Sequence, residues 1–136
     1  MADEATNMRY HDFHLEGYVV RNFGDTIELN LVWNYADEPK DRSNIEFSEV
    51  AAYHFIHTGS AILLDISEET IGNLLQIYGS QLSESWRLHG AYPLWNDDPA
   101  VYCANLERDG YHAWFIYSAI GFGGFVIAKS VAQKAS

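Results

Sequence analysis

The stretch IEFSEVAAYHFIHTGSAILLDI, residues 45–66, decides how this chain folds. It is rich in β-branched and aromatic residues, which suit strands. Ile45 and Phe47 share a face by the period of two that a strand imposes. The phase then slips at Ser48-Glu49, and a β-bulge there restores the apolar alternation. Thr58-Gly59-Ser60 reads as a turn. Residues 61–66 read as a short strand buried on both faces.

Outward toward the N-terminus the pattern is cleaner. In TIELNLVWNY, residues 26–35, Ile27, Leu29, Leu31, Trp33 and Tyr35 alternate with Glu28, Asn30, Val32 and Asn34. That is one buried and one wet face. NFGD at 22–25 is a turn signal, and YHDFHLEGYVV at 10–20 precedes it, so the two strands form a hairpin. Residues 36–44 are a charged loop. Toward the C-terminus, Ser67 caps a helix with Glu68 and Glu69 in its first turn. Ile71, Leu74, Leu75 and Tyr78 make its apolar stripe. Gly79 ends this helix, or the stripe runs on through Leu82 and Trp86. VYCANLE at 101–107 and YHAWFIYSAI at 111–120 read as strands around Asp109-Gly110, a hairpin signal. GFGGFVIAK at 121–129 continues the last strand past a kink or adds a seventh. The expectation is an α+β domain over residues 9–130, with 1–8 and 131–136 as tails. Its mostly antiparallel sheet has six or seven strands in the order β-β-β-β-α-β-β, with one main helix after the fourth.

The totals bound the function classes. The chain has 136 residues, 48% of them apolar and 15% aromatic, enough for one core. Nineteen acids against eight bases give a formal charge of −11. Nucleic acid is thereby excluded as an expected partner, since phosphate binding needs clustered Lys and Arg. A basic protein partner fits, although acidity by itself mostly serves solubility. AWFIYSAIGFGGFVIA at 113–128 is shorter than a spanning helix and suits buried strands, so no membrane role is expected. A single cysteine, Cys103, precludes an internal disulfide, and the N-terminus has no secretory pattern, so a cytoplasmic setting is expected.

Few residues look like chemistry. His11 with His14, and His54 with His57, form His-x-x-His pairs. On a strand, positions i and i+3 face opposite ways, so neither pair chelates unless a bulge re-aims one member. Histidines from different strands could still meet, with His89, His112 and Cys103 as further zinc ligands. Neither metal nor other cofactor is expected. A carboxylate–histidine couple, Asp12 with His14, is the most plausible start for an enzyme. Tyr-His recurs at Tyr10-His11, Tyr53-His54 and Tyr111-His112, and could form rows across a sheet or simply reflect half-buried strand positions. No G-x-S-x-G elbow is present. The best site candidate is AYPLWNDDPA, residues 91–100, where Tyr92, Leu94 and Trp95 stand beside Asp97 and Asp98. That composition fits a recognition surface, or a plug for the open end of the sheet.

YHDFHLEGYVV, the alternating strand, IEFSEVAAYHF and AILLDISEE together resemble small bacterial α+β proteins, some similar to immunity proteins that neutralise toxins. The resemblance covers about residues 10–70. It implies a cytosolic, non-enzymatic binding role and assigns no binding residue. The leading expectation is therefore a non-catalytic protein-binding domain, with a homodimer left open. The alternatives are a metal- or small-molecule-binding domain built on the histidines, and an enzyme.

Overall fold

A computed structural model of the chain describes residues 7–8, 12–33, 35, 41–89 and 99–135. Its elements are β1 (Asn7–Met8), β2 (His14–Arg21), β3 (Thr26–Trp33), β4 (Asp41–Glu69), α1 (Ile71–His89), α2 (Pro99–Arg108) and β5 (His112–Ala135). The fold is α+β, with one antiparallel sheet of five strands. The expected six or seven strands and single helix are thus corrected, among the described residues, to five strands and two α-helices. Residues 7–8 and 131–135, expected as tails, are paired in the sheet.

β2 and β3 form the hairpin that the alternating pattern foretells, with Arg21 opposite Thr26 and Tyr18 opposite Leu29. β3 then pairs along the first part of β4, from Thr26 opposite Ser48 to Trp33 opposite Asp41. β2 pairs with a later part of β4, at His14 opposite Ile62 and Leu15 opposite Ala61. All three pairings are antiparallel. Since β2 and β3 run oppositely, β4 must reverse direction between Ser48 and Ala61. One strand therefore turns over and closes the sheet around the hairpin.

Bulges make that reversal. Glu49 has φ 54°, and the register to β5 slips between Val50 and Ala52. This is the bulge expected at Ser48-Glu49, realised one to two residues along. A larger slip falls between His57 and Ile62. The Thr58-Gly59-Ser60 turn signal is real, but it bends a continuous strand because β5 bends with it. At Gly121 (φ 82°), a Cβ would collide with the Ser60 carbonyl, and at Gly124 with that of His54. Glycine there lets the two backbones cross closely.

The curled sheet encloses one apolar cluster. Ile27, Leu29, Leu31, Ile45, Phe47 and Leu63 are essentially inaccessible, and β5 adds Trp114, Ile116 and Val126. Trp33, expected on the buried face, is only half-buried, and Tyr35 is exposed. Trp33 lies against Phe13 and Tyr35, with ring centroids 5.5 and 4.6 Å away. A second cluster lies on the outer face, where Ile71, Leu74, Leu75 and Leu82 of α1 cover Ala113, Phe115, Phe125 and Ile127 of β5. β5 is apolar on both faces because both are covered.

α1 begins three residues later than expected. Ser67, Glu68 and Glu69 belong to β4, and Thr70 caps the helix, its Oγ1 accepting from the Asn73 N–H at 3.0 Å. The helix passes Gly79 because Leu82 continues the buried stripe. α2 replaces an expected strand. Tyr102 and Leu106 are buried one helical turn apart, while Val101 is exposed. Asp109-Gly110 is a helix end: Gly110 (φ 86°) donates to Glu107 O at 3.2 Å, and Tyr111 to Leu106 O at 3.0 Å. These two bonds make a Schellman cap. Among the described residues no helix is long and apolar enough to cross a membrane, and residues 113–128 lie within β5.

Candidate functional site

The β2–β3 hairpin ends in an unusual turn. Asn22, Phe23 and Gly24 all have positive φ, at 55°, 60° and 92°. The Asp25 N–H donates to Asn22 O at 3.1 Å, which closes a turn with the φ signature of type I′ at Phe23 and Gly24. Such a turn matches the twist of the flanking strands, and its first central position favours Asn, Asp or Gly. A bulky side chain there costs on the order of 1–2 kcal/mol. Burial would offset that cost, yet the relative exposure of Phe23 is 112%.

The turn is held in place. The Val50 N–H, at the β4 bulge, donates to Asp25 O at 2.9 Å. The hairpin tip and the bulge therefore form two walls of a cleft of ≈ 760 Å³. Its apolar lining is Val20, Phe23, Val50, Tyr53 and Phe55, and its polar groups include Asp25 and His54. Val19 and Val20 beside it are also well exposed. Tyr53 and Phe55 continue inward as a packed aromatic group with Tyr18 and Phe122, at centroid distances of 5.1 to 5.8 Å. One wall is thus rigid and the hairpin tip projects beside it.

Charges ring this end. Glu28 and Glu46 lie directly opposite each other on β3 and β4. Arg21 serves both carboxylates, at 2.8 and 3.9 Å. Glu49 meets Lys129 at 3.8 Å with most of its side chain in solvent.

The sequence-derived candidates fare differently. Tyr92, Leu94, Trp95, Asp97 and Asp98 lie outside the described residues, as does His11. His54 and His57 take opposite faces, as the strand period requires. His54 packs against Tyr78 of α1, 5.8 Å between centroids, and His57, itself exposed, lies against Tyr18 and Phe122 of the inner cluster. His14 lies against Tyr35 at 5.2 Å, its Nδ1 buried and without a hydrogen-bond partner among the described residues. His112 pairs with Glu68, 2.7 Å apart. Among the described residues no three His, Cys, Asp or Glu side chains gather as metal ligands. The Tyr-His dipeptides form no common row: Tyr53 faces the inner cluster, while Tyr111 packs on the outer one. Cys103 is half-buried on α2. Burial first, then neighbouring Glu107, push its thiol up, away from the reactive thiolate.

The hairpin tip was legible in sequence only as a turn. The overlooked signal was a phenylalanine where a turn prefers Asn or Gly. Comparison with protein-family models, with curated proteins and with solved structures finds no match for this chain.

Proposed function

We propose that this chain is a non-catalytic protein-binding domain, immunity-type in its sharpest form, and that it engages its partner through Phe23 and the adjoining cleft. Phe23 carries the reading. A chain that keeps a phenylalanine in a strained, wholly exposed turn loses stability for no gain in its own packing, so the gain lies in a contact outside the molecule. The rigid apolar wall beside it matches the anatomy of an interface core, where an aromatic anchor dominates.

The test uses the protein encoded beside the gene for this chain. Co-purification and titration calorimetry should show a complex, and co-expression should protect cells if that neighbour is toxic. Phe23→Asn should keep the fold and weaken binding by on the order of thirtyfold or more, the size of a hot-spot loss. A fully folded Phe23→Asn variant that binds with unchanged affinity overturns the assignment of the surface.

One observation favours a small-molecule alternative. His54 and Asp25 line a cleft within the ~300–1,000 Å³ range of ligand sites. A small ligand would fill the cleft against Tyr53, His54 and Phe23 alike, so the two readings separate by whether the purified neighbour protein itself binds the chain.

A further inference from the structure

We infer that the cleft selects a basic polypeptide segment, one that places an apolar side chain against Val20, Val50 and Phe55 and a Lys or Arg beside Asp25 and Glu49. The inference rests on the protein-binding reading and adds the chemistry of the partner.

The walls supply the apolar half. The rim supplies the other. Four carboxylates, Asp25, Glu28, Glu46 and Glu49, belong to the hairpin tip and the facing part of β4, against two cations, Arg21 and Lys129. Arg21 is committed to the carboxylates beneath the rim. Lys129 meets Glu49 only at 3.8 Å and lies over the Tyr111 ring, 5.2 Å from its centroid. Asp25 is exposed and forms part of the cleft wall, with its main chain pinned by Val50. Glu49 is held outward by the bulge, its side chain 62% exposed. A partner cation entering here finds Asp25 on a main chain already held by Val50, which reduces the ordering cost of that ion pair. The whole chain, at −11, adds long-range attraction for the same sign of partner and repels acidic ones.

The probe is a pair of synthetic peptide series. One alternates Leu or Trp with Lys, and the other carries Glu in place of Lys. Binding is measured by biolayer interferometry at low and high salt. The Lys series should bind the full chain, and Phe23→Asn should lose that binding. Asp25→Asn with Glu49→Gln should weaken it about tenfold at low salt and by less than about twofold at high salt, because such pairs are screened. Equal binding of the Glu series, or a double variant without salt-dependent loss, overturns the basic-partner inference. If Phe23→Asn still abolishes capture in that case, the protein-binding reading survives it. Failure of both series to bind also overturns the inference, and the neighbour-gene complex then judges the broader reading on its own.

Discussion

Replacing Phe23 by asparagine is expected to stabilise the domain. Phe23 sits at φ 60°, ψ 33°, a left-handed conformation that costs an ordinary L-residue about 1–2 kcal/mol. Asparagine adopts it at lower cost, because its short polar side chain bonds locally. Recovering about half of the strain gives a gain of ~0.5–1 kcal/mol. No burial is lost in exchange, since the side chain is wholly exposed. For a domain of this size the gain corresponds to a rise in Tm of about 2–5 °C. Urea unfolding followed by tryptophan fluorescence reads it as a shift in midpoint at constant slope, the signature of a pure stability change. Phe23→Ala controls for the side chain, because alanine keeps the β-carbon and most of the backbone strain. A loss of more than about 0.5 kcal/mol in Phe23→Asn would refute the reasoning, for it would mean that Phe23 packs against the cleft in solution and contributes to the fold.

Two further outcomes follow from the packing. Phe47→Ala, deep inside the curled sheet, should cost about 3–5 kcal/mol, whereas half-buried Trp33→Ala should cost about 1–2 kcal/mol. Equal costs in matched urea melts would contradict the placement of the core. Burial, with a smaller contribution from Tyr111, holds the Tyr102 phenol well above its ordinary value of 10.0. The folded state therefore keeps a proton that the unfolded state gives up, so this contribution is intact below about pH 10 and lost as pH rises beyond it. Melts across the alkaline range should show a shallower decline for Tyr102→Phe, and an unchanged decline would remove Tyr102 as the cause.

Local pattern revealed what local physics decides. The hairpin was legible because Ile27, Leu29 and Leu31 alternate without interruption around a turn signal. The α1 stripe was legible because Ile71, Leu74, Leu75 and Leu82 repeat at helical spacing. The continuity of β4 was not, because Thr58-Gly59-Ser60 carries the composition of a turn and its bend is shaped by Gly121 far along the chain. VYCANLE alternates as a strand does, and Asp109-Gly110 serves a hairpin and a Schellman cap equally well, since both need a residue at positive φ. Asp98-Pro99 was the unread signal for α2, proline being favoured at a helix start. The cleft escaped notice because its walls, Val20 on β2 and Val50 to Phe55 on β4, meet only through tertiary pairing.

The reversal within β4 also governs how the molecule can assemble. Its ladder with β5 joins Glu69 to Ala113 at one end and Ser43 to Ala135 at the other. Closure is cheapest at the first pair, where only residues 70–112 intervene, and zippering must then pass the crossing at Gly121 to reach the far end. Such non-local pairing makes for slow folding, on the order of milliseconds to seconds. During synthesis the β2–β3 hairpin and β4 leave the ribosome well before β5. For that interval β4 presents an unpaired edge beside incompletely covered apolar residues, the arrangement most prone to pairing with another chain. The nascent chain is thus most vulnerable to aggregation just before β5 emerges, and a folding helper acting on this protein would have its greatest effect there.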